Sequence, residues 1–130
     1  MSKRSTRGER AGVTTEMVHR IAFALPGVEA GTSYGFPSLK LGGKFLARLR
    51  DHDEVLVVMI GSIDDRDYLL SHHPDVFFTT DHYRNYATVL IRLAKARESM
   101  VREVLTDAWR RGAPKRVVAE FDARGTASDD

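Results

Sequence analysis

Two groups of residues in this 130-residue chain have the types and spacing to do chemistry: a set of cations at strand spacing, and a small group of histidines and aspartates. Lys40, Lys44, Arg48, Arg50 and Arg92 lie in or beside stretches that alternate like strands, and their spacing lets them share the sheet face away from the helices. Mobile cations delivered by a wing-like hairpin would contact phosphates, so the chemistry on offer is nucleic-acid backbone binding. The alternative is a solvated face whose cations meet Asp51, Asp53 and Glu54, pairs worth little in stability. Tyr34, Phe36 and Tyr86 would add stacking surfaces for bases, or else serve as core and rim aromatics.

Gly42-Gly43-Lys44 superficially resembles the end of a phosphate loop. That loop needs G-x-x-x-x-G-K-[ST] opening a helix, whereas here Ser38 holds the first glycine position and Phe45 follows the lysine. The sequence therefore reads as a hairpin turn. His72, His73 and His82 with Asp75 and Asp81 are the cluster with metal-ligand chemistry. Adjacent histidines point apart on a helix and no H-E-x-x-H spacing exists, so histidines at a helix C-terminus are the better account. No Gly-x-Ser-x-Gly elbow is present, and Ser33 or Ser38 beside a histidine would still need a third partner. No catalytic residues and no cofactor are expected.

Charge distribution narrows the partners. Residues 1–10 hold Lys3, Arg4, Arg7 and Arg10 against Glu9, a net +3, while the other 16 basic and 17 acidic residues give −1. The basic pI thus comes from the N-terminal tail, which weakens any inference of nucleic-acid binding from net charge alone. The absence of cysteine excludes disulfides and thiolate metal sites and fits a reducing cytoplasm. No apolar run approaches the ~20 residues of a membrane span, and the N-terminus lacks the apolar segment of a signal peptide.

The elements that must position these residues follow from periodicity. Residues 1–13 are expected to be a disordered basic tail. A helix begins at Thr14 or Thr15, buries Val18, Ile21, Ala22 and Leu25, and stops at Pro26-Gly27. Ser33–Phe36 and Ser38–Leu41 read as a short strand pair, with Pro37 restricting pairing. After the Gly42-Gly43 turn, Lys44–Arg50 alternates: Phe45, Ala47 and Leu49 face one way, and Lys44, Leu46, Arg48 and Arg50 the other. Val55–Ile60 is a continuous apolar run, so both faces of that strand should be buried. Ser62–His73 is a second helix, with aspartates at its positive end and histidines at its negative end. Val76–Thr79 and Thr88–Leu93 are further strands. The last helix covers Glu98–Arg111, followed by an apolar turn at Val117, Val118 and Phe121, and a disordered acidic tail over 123–130. Consecutive strands with short turns favour an α+β single domain, an antiparallel sheet with helices on one side. One helical layer leaves the far side of Val55–Ile60 apolar, to be covered by the Val117–Phe121 turn or by a partner chain.

Several short motifs recur together in the MmcQ/YjbR family, which this chain resembles. They are Leu25–Glu29, Tyr34-Gly35-Phe36-Pro37, Lys40, Gly43-Lys44-Phe45, Asn85-Tyr86-Ala87-Thr88-Val89 and Asp107-Ala108-Trp109. The similarity covers about Thr14 to Asp122. Many relatives carry Trp where Tyr86 sits and Tyr where Trp109 sits, swaps that keep a large aromatic with a polar handle. The resemblance implies a domain over 14–122 in α-β(3)-α-β(2)-α order, similar to secretion chaperones and bacterial frataxin-like proteins. It also implies a "double wing" DNA-binding protein, and brings no catalytic residues. Two functions are therefore expected: a cytoplasmic DNA-binding module using the basic hairpin, or a chaperone-like, dimeric protein-interaction module using its sheet surface.

Overall fold

The computed structural model describes residues 10–128 apart from Tyr34, Asp51 and Asp53. The expected tail over 1–9, and Tyr34 as a base-stacking residue, lie outside the described residues. The expected disorder does not reach residues 12 and 13. The amides of Gly12 and Val13 donate to the Ala96 and Leu93 carbonyls at 2.7 and 2.8 Å, and Val13 is buried. An apolar side chain with its backbone donor satisfied is a reason for order.

Helix α1 (Thr15–Phe23) starts as its cap demands: Thr14 Oγ1 accepts from the Met17 amide at 3.2 Å. Its stripe of Val18, Ile21 and Ala22 is buried. A sheet of six strands follows, β1 (Val28–Ser33), β2 (Phe36–Leu41), β3 (Lys44–Arg50), β4 (Val55–Met59), β5 (Phe77–Phe78) and β6 (Thr88–Arg92), antiparallel throughout in the order β1-β2-β3-β4-β6-β5. Helix α2 (Ile63–His72) crosses between β4 and β5, capped by Ser62 Oγ on the Asp65 amide at 3.0 Å. Helix α3 (Glu98–Gly112) lies on the sheet and against α1, burying Val101, Val104, Leu105, Ala108 and Trp109.

Three further expectations change. The first strand is Val28–Ser33, and Ser33 and Phe36 are partners at the mouth of a hairpin rather than ends of one strand. Gly35, at φ 81°, supplies the left-handed conformation that this turn needs. Pro37 is tolerated because pairing to β3 begins only at Ser38. Second, the chain beyond Pro114 is helical: α4 spans Lys115–Ser128, where a turn and then a tail are expected from sequence. Pro114 closes α3 and also opens α4, its carbonyl accepting from the Val118 amide at 3.0 Å. Phe121 stacks at a tilt on Trp109, 4.8 Å between centroids, and Asp122 pairs with Arg110 at 2.7 Å, raising that guanidinium's pKa chiefly by hydrogen bonding.

The third change concerns the alternation in β3. Leu39 pairs with Ala47 but Lys40 pairs with Phe45, so Leu46 is an extra residue, a β-bulge. Leu46 and Ala47 are both buried in the main core, and Phe45 turns to the opposite face. The side chains of β3 therefore do not follow one alternation from Lys44 to Arg50.

Candidate nucleic-acid interface

Residues directly opposed across an antiparallel ladder share a face, so the register assigns each side chain a side. Ser38, Arg48, Val57, Leu90 and Phe78 form one row across β2, β3, β4, β6 and β5. Arg50, Val55 and Arg92 form the next row on that side, and Lys40 with Phe45 forms another. Val57, Leu90 and Phe45 belong to a small cluster separate from the main core. The helices pack on the other side, against Leu39, Ala47, Leu56, Val58, Val89 and Ile91. Lys40, Arg48, Arg50 and Arg92 thus stand together on the helix-free face.

Lys44 does not join them. It pairs with Leu41, which packs against the main core, so Lys44 belongs to the helix side. The bulge causes the separation. One extra residue between Lys44 and Arg48 inverts the side that simple alternation gives to Lys44.

Three of the cations on the shared face are braced in different ways, Arg92 on a ring, Arg48 by a hydroxyl and Lys40 against a glycine. Arg92 lies over the Phe78 ring, 4.2 Å from Cζ to centroid, and donates to the Pro74 carbonyl at 3.3 Å. Arg48 donates from Nη2 to Tyr83 Oη at 3.2 Å. The methylenes of Lys40 cross Gly31, where a Cβ would fall 2.9 Å from Lys40 Cγ. Glu29 is the cross-strand partner of Lys40. Ser38 Oγ, buried between Lys40 and Arg48 along β2 and β3, has no hydrogen-bond partner among the described residues.

Tyr83 comes from the 3-10 turn Asp81–Tyr83, and a buried arginine holds that turn in place. Arg66 of α2 is 6% exposed; its Nη1 donates to the carbonyls of Tyr83, Arg84 and Tyr86 at 3.1, 2.8 and 3.1 Å. Its Nε reaches Asp67 at 3.1 Å. Together Tyr83, Phe45 and Phe78 cover Val55, Val57 and Leu90. The far side of β4 is therefore covered at Val55 and Val57 from within the chain, by Tyr83 and flanking sheet aromatics, while Met59 at its end stays half exposed. The Val117–Phe121 segment packs instead on the helix side, where Trp109 offers it a ring.

Sequence reading missed Arg66, Phe45, Phe78 and Tyr83 as parts of this face. A hydrophobic pair at Phe77-Phe78 was a usable signal, because a strand with one buried face spares only one ring for the core. Arg66 carried none, since its acceptors are backbone carbonyls. Tyr86 is 60% exposed beside the turn. His72 Nδ1 donates to the Tyr68 carbonyl at 2.9 Å, and His73 meets the edge of Phe77. No group of three metal-ligating side chains exists among the described residues. Among the described residues no helix is long and apolar enough to cross a membrane.

Comparison with known proteins gives two results. The family model described as YjbR matches residues 23–111. Uncharacterized protein Mb2600 of Mycobacterium bovis and uncharacterized protein Rv2570 of Mycobacterium tuberculosis are each 42% identical over 53 residues. That stretch is 41% of this chain and 41% of each relative, so less than half of either relative is matched. No solved structure matches significantly.

Proposed function

The chain belongs to the YjbR family, and from that premise we propose that it is a DNA-binding protein that contacts the nucleic-acid backbone through the helix-free face of its sheet. The observation that carries this reading is the shared face of Lys40, Arg48, Arg50 and Arg92. Arg50 and Arg92 stand two strands apart, roughly 10 Å at the backbone, across a stiff antiparallel ladder. Cations braced by a ring, as Arg92 is on Phe78, or by a hydroxyl, as Arg48 is by Tyr83, lose less side-chain freedom on meeting a phosphate than free-swinging ones. The role is binding without catalysis, in the cytoplasm, and it needs no cofactor.

Titration with duplex and single-stranded DNA tests the reading, using the full chain and a variant lacking residues 1–10. Binding by the truncated form that weakens steeply with salt supports it. Binding lost on truncation alone assigns the affinity to the tail and overturns it. The other reading, a homodimer or a chaperone-like contact through the sheet, rested on an uncovered β4. It has less support now that Tyr83, Phe45 and Phe78 cover Val55 and Val57 of that strand. A concentration-dependent mass in light scattering would revive it.

A further inference from the structure

Lys44 is left without a role by the DNA-binding face, and its surroundings at the end of the sheet, between that face and helix α3, supply one. An open groove of about 530 Å³ lies between the β2–β3 hairpin, the end of β4 and helix α3. Its lining is mixed: Leu41, Phe45, Met59, Ile60 and Ala108 give apolar surface, and its polar side chains are Lys44 and Arg111. No carboxylate lines it among the described residues. A volume in this range, apolar with a few convergent charges, is the usual form of a small-molecule site.

Arg111 forms the inner wall. Its guanidinium lies on bare Gly61, so closely that a Cβ there would sit 2.0 Å from Arg111 Cζ. From that position it reaches Asp65 at 3.2 Å. On the far side of Arg111 a second cavity of about 470 Å³ is lined by Asp65, Glu103 and Asp107. The groove is thus polarised: cations at the Lys44 end, carboxylates beyond Arg111. An anion is drawn to the first chamber and repelled from the second.

We propose that the groove between Lys44 and Arg111 binds a small molecule with a carboxylate head on an apolar body, using none of the cations of the DNA-binding face although Phe45 borders both. The planar guanidinium matches a carboxylate with two parallel N–H donors, and Lys44 adds a point charge across the mouth. The apolar body rests on Met59, which is 49% exposed, and on Ile60 and Ala108. Met is suited to this, being flexible enough to fit varied apolar shapes. Arg111 keeps its Asp65 partner until the carboxylate competes for it.

Sodium octanoate, 1-octanol and sodium acetate, titrated into the full-length ¹⁵N-labelled protein, test this. Octanoate is expected to shift the amides of Gly61, Ala108 and Gly112 saturably, at least about tenfold more tightly than octanol or acetate. Lys44→Met and Arg111→Met should each weaken octanoate by about tenfold, and so should Met59→Glu, which puts an acid in the wall. A Lys40→Gln/Arg92→Gln double variant should bind octanoate like wild type, separating this site from the DNA face. Thermal melts of each variant check that the fold persists. Equal binding of octanol and octanoate, unchanged binding in the Lys44 and Arg111 variants, or no saturable shift overturns the proposal. Shifts that depend on protein concentration without ligand would assign the groove to a second copy and overturn it as well.

Discussion

Trp109 Nε1 donates a 2.7 Å hydrogen bond to the Pro26 carbonyl, across 83 positions of sequence. The indole is fully buried, and its one polar atom finds the backbone just where α1 turns into β1. That bond fixes the elbow between the first helix and the edge strand, and so the sheet on which the cations stand. Trp109→Phe keeps most of the apolar surface but leaves the carbonyl without its donor. A loss of about 2–4 kcal/mol is expected, read as a lower midpoint with unchanged slope in urea unfolding followed by circular dichroism.

Arg66 should prove costlier than an exposed helix arginine. Its three carbonyl acceptors belong to one turn, and nothing else among the described contacts closes that turn onto α2. Arg66→Met is expected to destabilise by about 2–4 kcal/mol, with Arg66→Lys recovering only part, because an ammonium lacks the fork that also reaches Asp67. Native-state hydrogen exchange should accelerate first at Tyr86 and Thr88, whose amides bond within the turn.

The bulge makes a sharp prediction about two lysines four positions apart. Lys40 is on the helix-free face and Lys44 on the helix side. Lys40→Ala should weaken DNA binding and reduce the salt slope by about 0.9, the signature of one lost phosphate contact on a duplex. Lys44→Ala should change neither measurably. Anisotropy titrations at several salt concentrations distinguish the two.

Gly61→Ala should displace a side chain and leave the backbone in place. The added Cβ meets the far end of Arg111, which is long and over half exposed, so it can swing away and release Asp65. The ion pair is exposed, and its loss should cost at most about 1 kcal/mol. Arg111 side-chain resonances should move while the melting temperature falls by no more than about 4 °C.

Much of the architecture was legible because local chemistry dictated it. Thr14 and Ser62 cap their helices, and Gly42-Gly43, at φ 60° and 81°, makes the two-residue hairpin that their types suggest. The apolar run Val55–Ile60 gives β4, and double burial holds for Val55–Val58 but not for Met59, which is exposed. Less was legible in the site. A bulge arises from pairing between strands and has no marker in the strand itself, so Lys44 was assigned to the wrong face. Pro114 reads equally well as a helix stop or a helix start, and only Phe121 meeting Trp109 decides. Arg66 bonds to carbonyls 17–20 positions away, which residue types do not announce.

The most direct test of the central claim compares the protein lacking residues 1–10 with the same form carrying Lys40→Gln, Arg50→Gln and Arg92→Gln, in duplex DNA titrations across a salt series. If the helix-free face holds the backbone, the triple variant should lose most of its affinity, and its salt slope should fall by about 2.7. Equal affinity and equal slope in the two proteins would contradict the account.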